Sequence, residues 1–289
     1  HWEIVLIVVV IHNCLKFRKL DRFIDTIYQI EQKIVILENR RSFLILKCLV
    51  GASVTVRIIF LTYSFTQSTM LVMNEICTTF NDLLFDLYNL HVLVQVWCLR
   101  RCFKTLNRRF IDALTSGEFN MIFEVLQLTD QLYTALRIFN GYYGLFMLGV
   151  CLVAFIRTSL ATYLAMLALL ERWDGGRVIF VIVLTVGSYT IFNCGIVYAI
   201  FYVCHTTIDE ANETVLCTRN YHDYNVADNR TTRQINKFLL KNLHQKKKFS
   251  AYGFFDIDNS VIYMIFSSIV TYLVILVQFK QLETELDGT

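Results

Sequence analysis

Residues 258–279 read DNSVIYMIFSSIVTYLVILVQF, and after Asp258 no side chain in this run is charged. The run matches the ~20 apolar residues that a helix needs to cross a hydrocarbon core about 30 Å thick. It contains neither Pro nor Gly, so nothing in it interrupts a helix. Working back along the chain, similar windows recur at about 1–15, 43–64, 80–99, 142–166 and 178–203. The 289 residues are 55% hydrophobic and only 18% charged, against about 25% charged in an ordinary soluble domain. Proline is absent altogether, which argues against broken transporter helices and against Pro-rich recognition segments. The fold class expected is all-α, a polytopic helical membrane bundle.

Basic residues set the expected orientation. Stretch 16–42 carries seven Lys or Arg, stretch 100–141 six and stretch 205–257 eight. The alternate stretches hold three: Arg172, Arg177 and Lys280. By the positive-inside rule the three long basic stretches are cytosolic, and the C-terminus is outside. The chain opens on His1 inside an apolar run. With six spans from that point, a cytosolic N-terminus requires a seventh, so the first helix is expected to be missing. A G-protein-coupled receptor has its C-terminus on the opposite side. Two sequons, at Asn212 and Asn229, lie in the third basic stretch and should carry no glycan.

The cytosolic stretches are not expected to be loops. Leu20, Phe23, Ile24, Ile27, Ile30, Ile34 and Leu37 recur at helical spacing, as do Phe119, Ile122, Val125, Leu126, Leu132, Leu136 and Phe139. Ile235, Phe238, Leu239 and Leu243 repeat the pattern. Such stripes must bury against each other or a neighbouring subunit, or lie flat on lipid; packing is the reading preferred here. The whole is read as one transmembrane domain over 1–289, with helical anchor elements at about 16–42, 100–141 and 205–257.

Nothing in the sequence supports an enzyme, a cofactor, a metal site or a nucleic-acid partner. The nine cysteines are scattered, and only Cys77 falls in an outer connection. Cys98 and Cys102 are one turn apart, with no second pair to complete a zinc site. The chain has no HExxH, P-loop, GxGxxG or GxSxG motif.

In the last span, Ser260, Met264, Ser267, Thr271, Ile275 and Gln278 follow one another by three or four residues and share a face. Four of these six are polar. The stripe suits a pore lining or interhelical hydrogen bonding, and spacing alone leaves both open. Charges inside other spans point to a second site. Arg57 lies ~10 Å below the outer end of its span and Asp86 ~9 Å into the next, so the two can pair. Asp82 is one turn from Asp86, and Arg157 must face the interior of its bundle. With Tyr63, Asn89, Tyr163, Ser188, Tyr189 and Asn193, these residues describe either a polar, aromatic pocket open to the outside or a buried ion pair among core tyrosines.

The last span begins in FSAYGFFDIDNS (249–260) and ends in TYLVILVQF (271–279). Thr-Tyr, five apolar residues and Gln-Phe at the end of the final helix resembles the C-terminal signature of insect gustatory receptors. The segment 249–260 is similar to that family's approach to its last helix. Arg100 to Phe110 and Leu126 to Tyr143 are similar to its fourth-helix exit and fifth-helix approach. The chain then corresponds to helices two to seven. The resemblance implies a ligand-gated, nonselective cation channel in the plasma membrane, built as a homotetramer or a hetero-oligomer with related receptors. It implies a small-molecule tastant, permeating cations and membrane lipid as partners. It further implies a pore and gate including Ser267, Thr271, Ile275, Gln278 and Phe279, a cytosolic anchor, and a tastant pocket in the outer half of each bundle. An odorant receptor of the same architecture and a G-protein-coupled chemoreceptor are the alternatives.

Overall fold

The computed structural model describes residues 17–34, 55, 69–170, 176–219, 229–242 and 247–287. The expected spans at 1–15 and 43–64 lie outside the described residues. Six helices follow in chain order: α1 (Phe17–Ile34), α2 (Thr69–Ser116), α3 (Phe119–Leu170), α4 (Gly176–Arg219), α5 (Asn229–Asn242) and α6 (Asn259–Asp287). Among the described residues there is no strand, only an isolated bridge between Ser250 and Asp256.

The three long helices have 48, 52 and 44 residues, or roughly 72, 78 and 66 Å at 1.5 Å per residue. Each is more than twice the thickness of a hydrocarbon core. Within the helical anchor elements expected at about 100–141 and 205–257, residues 100–116, 119–141 and 205–219 belong to these long helices, while α5 is a helix of its own. Likewise α2 starts at Thr69, well before the span expected at 80–99. The absence of proline permits this continuity. Three helices are long and apolar enough to cross a membrane among the described residues: Phe119–Met166, Thr190–Thr218 and Asn259–Leu282.

Two residues, Gly117 and Glu118, separate α2 from α3. Gly117 adopts φ +71°, and Glu118 N–H donates to Ala113 O at 3.1 Å. This is the Schellman closure, in which a left-handed residue lets the chain turn back on the last helical carbonyls. The long helices run side by side, with the most extensive interface between α2 and α4.

Packing, not lipid, receives the amphipathic stripes. Phe23, Ile27 and Ile30 of α1 are buried, and Phe23 lies against Phe139 of α3 with ring centroids 5.7 Å apart. Ile122, Val125, Leu126, Leu132, Leu136 and Phe139 are buried, while Phe119 is exposed. On α5, Ile235 and Phe238 enter the core, where Phe238 stacks on Tyr133. Polar groups inside this region are satisfied across helices. Asn107 Nδ2 donates to Glu210 O at 2.9 Å, Thr214 donates to Asn107 Oδ1, and Tyr133 donates to Ala211 O at 2.9 Å.

The sequon at Asn212 sits in this packed region. Asn212 Oδ1 accepts the Lys247 backbone N–H at 3.3 Å, and its partner Thr214 is buried. Endoglycosidase treatment of the protein is expected to produce no gel shift that Asn212→Gln removes. A glycan at Asn212 would contradict both the packing and the expected orientation.

Candidate functional site

Helix α6 lies at the edge of the bundle. Its only buried side chains among the described residues are Val261 and Ile269. Asp258 caps it: Oδ1 accepts Ser260 N–H at 2.9 Å and Val261 N–H at 3.3 Å. This satisfies two of the donors left over at any helix start. The neighbouring Asp256 pairs with Lys248 at 2.9 Å on the surface. The stripe Ser260, Met264, Ser267, Thr271, Ile275 and Gln278 is exposed along its full length, and Phe279 at its end is 68% exposed. The hydroxyls of Ser268 and Thr271 bond back to Met264 O and Ser267 O of the same helix, so they do not bridge helices. Tyr272 instead faces α3, its ring 6.2 Å from that of Phe155.

The approach to α6 is a compact turn held by α3. Asn140 grips it at two points: Nδ2 donates to Lys248 O at 2.8 Å, and Oδ1 accepts Ser250 N–H at 3.2 Å. Within the turn Ile257 N–H donates to Phe249 O and Ala251 N–H to Phe255 O. Tyr252 and Gly253 take positive φ of 55° and 87°, a conformation costing a non-glycine residue ~1–2 kcal/mol. Phe249, Ala251 and Ile257 anchor the turn in the core, with Phe249 set edge-on to Phe139. One turn along α3 from Asn140, Gly144 lies beneath it. A Cβ there would stand 2.9 Å from Tyr252 N and 3.1 Å from Ser250 O. Of the adjacent lysines, Lys247 sits 4.3 Å from the Tyr133 ring centre and donates to Asn242 Oδ1. Burial, and secondarily Arg137, hold its ammonium below the usual lysine value.

The second site is a half-open cavity of about 310 Å³ between α2, α3 and α4. Four expected residues line it: Asp82, Asn89, Arg157 and Asn193. Arg157 Nη2 donates to Asp82 Oδ1, joining α3 to α2, with side chains 19% and 15% exposed. Asp86 is fully buried one turn along from Asp82, and Tyr163 is half-buried away from the cavity wall. Arg57 and Tyr63 lie outside the described residues, and with them the Arg57–Asp86 pairing. Ser188 and Tyr189 sit on α4, but their side chains also lie outside the description.

Several lining residues escaped the sequence reading. Val150, Val153, Ala154, Thr158, Ala161 and Leu164 form the face of α3 that carries Arg157. The signal was available in their spacing of three and four around Arg157, but apolar residues at that spacing mark a core equally well. Thr158 Oγ1 and Cys194 Sγ, 3.4 Å apart, join α3 to α4 at the wall. Farther along α2, Phe85 of the cavity wall leads into an aromatic cluster behind it. Phe85 and Tyr88 pack on Phe146, Tyr88 edge-on at 4.4 Å, and His91 Nε2 lies 3.0 Å from Tyr143 Oη.

A sequence model described as 7tm chemosensory receptor matches residues 3–283. The chain is 49% identical over 81 residues to gustatory and pheromone receptor 32a of Drosophila melanogaster, covering 28% of this chain and 17% of that receptor. It is 63% identical over 49 residues to gustatory receptor 68a of the same species, covering 17% and 13% of the two chains. The matched stretches thus span less than a fifth of either relative's length. The fold is that of the insect olfactory receptor OR5 from Machilis hrabei, with a TM-score of 0.69 over 96% of this chain and 79% of that one, at 10% identity. Long apolar helices, the shared fold and a family match over nearly the whole length agree: the chain belongs to the 7tm chemosensory receptor family, a family of membrane receptors and not of enzymes.

Proposed function

We propose that the chain is the body of a gustatory receptor of the plasma membrane, acting as a ligand-gated, nonselective cation channel. Four copies, or copies mixed with related receptors, surround a central pore lined by α6. The basic ends of the long helices form the cytosolic anchor. A tastant enters the cavity between α2, α3 and α4 from outside, and its binding is relayed to α6. Phe279 closes the outer end of the pore by excluding water, and Gln278 supplies a neutral polar lining when the helices separate. Ser267, Thr271 and Ile275 line the path below. No acidic side chain lies on the stripe, which accords with weak discrimination among cations.

The observation that carries this reading is the exposed stripe of α6. A helix facing only lipid gains nothing from Ser267, Thr271 and Gln278 on one side, and among the described residues no other helix covers them. The gustatory names of the relatives favour taste over odour detection. Gln278→Ala in the full-length receptor is expected to shift single-channel conductance or relative Na⁺/K⁺ permeability at normal surface density. Cysteines at Ser267 and Thr271 should react with a water-soluble thiol reagent only while ligand is present. Unaltered currents from Gln278→Ala, with no reaction at either cysteine, would exclude α6 as the pore helix.

A further inference from the structure

Asn89 is 2% exposed, and its Oδ1 has no hydrogen-bond partner among the described residues. Buried side-chain acceptors are nearly always satisfied, and one left unmade is expensive. Asn89 also lines the 310 Å³ cavity; its Oδ1 is itself closed to a water-sized group, so a bound molecule meets it as the amide turns about its soft terminal torsion toward the cavity. We infer that the cavity takes a small, neutral, mainly apolar molecule bearing a single hydroxyl, which donates its hydrogen to Asn89 Oδ1. This inference rests on the cavity being the tastant pocket proposed above.

The chemistry of the wall excludes the other classes. Of the other polar side chains on the wall, Thr158 is paired with Cys194, and Thr190 and Asn193 have partners of their own, while Phe85, Val153, Ala154, Ala161 and Leu164 offer no hydrogen bonds from their side chains. A sugar would leave most of its hydroxyls unpaired against them. A carboxylate has no hydrogen for Asn89 and would meet the carboxylate of Asp82. Arg157 offers it no free charge, because that guanidinium already serves Asp82. An ammonium would likewise have to break the Asp82–Arg157 pair. Ethers and ketones only accept hydrogen bonds. A hydroxyl serves the Asn89 amide from either end, whereas an ether serves only its Nδ2 end. The volume lies at the low end of the ~300–1,000 Å³ typical of small-molecule pockets, which sets the size class.

Cys194 provides a readout that does not depend on gating. Its thiol is exposed on the cavity wall, so an occupant should slow its alkylation. The test measures N-ethylmaleimide labelling of Cys194 by peptide mass spectrometry, in membranes bearing the full-length receptor. Three skeletons are compared, a branched terpene (citronellol), a linear alkyl chain (nonanol) and a phenylalkyl chain (phenylethanol), each as alcohol, methyl ether and carboxylic acid. At least one alcohol should protect Cys194 at a concentration about tenfold lower than its own ether or acid. Asn89→Leu should bring alcohol and ether together. Equal protection by alcohol and ether in the unmodified receptor, stronger protection by an acid, or no protection by any alcohol would each overturn the inference, and none of these needs the variant to fold. Ala161→Trp, which fills the cavity, separates the two claims. If alcohols protect Cys194 in the unmodified receptor yet ligand-evoked current survives in Ala161→Trp, the ligand class stands and the pocket's role in gating falls.

Discussion

Arg157→Ala is expected to lower the stability of the full-length receptor by about 3 kcal/mol, with lost surface expression and lost current. The side chain is held between α2 and α3, and its removal takes the guanidinium from the Asp82 carboxylate, which is only 15% exposed in the intact pair and lies one turn from the buried Asp86. Breaking a buried pair from one side costs more than the pair contributes, because the remaining charge keeps its desolvation penalty. The low end of the usual range applies here, since neither partner is fully enclosed. Asp82→Asn combined with Arg157→Gln should therefore recover much of what Arg157→Ala loses. Thermal melts of detergent-solubilised receptor, followed by size-exclusion chromatography, give the cycle. Additive losses would mean that Asp82 and Arg157 do not depend on one another.

Gly144→Ala should be the most damaging glycine substitution among those described. Its Cβ would press on backbone atoms of Tyr252 and Ser250 on both sides, and backbone cannot rotate out of the way. Over-packing of this kind costs ~1–3 kcal/mol. Here it also displaces the turn that starts α6, so ligand-evoked current should fall by more than surface density does. Gly187→Ala and Gly195→Ala are the controls. Both lie on α4 with nothing within 4 Å of the added methyl, and each should be neutral or stabilising by up to ~1 kcal/mol. If Gly144→Ala melts and conducts like Gly195→Ala, the turn is not seated as described. Asn140→Ala, which removes both grips on the same turn, should shift the ligand concentration for half-maximal current with less loss of protein.

The fold was legible because membrane helices obey a severe rule: apolar length and basic flanks are nearly sufficient. The stripe around Phe23 and Ile27 was readable as a buried face for the same reason. Helix ends were harder. Nothing in the residues around 100 or 141 marks a boundary, and there is none, because the helices run straight through the expected membrane surface. At the cavity, charge drew attention to Asp82 and Arg157 and hydrogen-bonding capacity to Asn89 and Asn193, since polar groups in apolar helices are rarely idle. The partner of Arg157 was not readable. Which carboxylate it meets depends on the rotation of α3 against α2, a property of packing that no local spacing encodes. Asn140 and Gly144 were missed for a related reason: their roles lie in a contact with a turn more than a hundred residues away.

The continuity of α2, α3 and α4 has a mechanical consequence. A helix roughly 70 Å long without a proline is a rigid rod. Tilting such a rod by about 5° moves its far end by roughly 6 Å, more than one helical turn. The seat that Asn140 and Gly144 offer to the start of α6 stands on the same rod 13–17 residues from Arg157, about 20–26 Å away, so a tilt of about 5° imposed at the cavity wall shifts that seat by about 2 Å. The leverage belongs to the rods themselves, and no hinge or flexible linker has to carry the message.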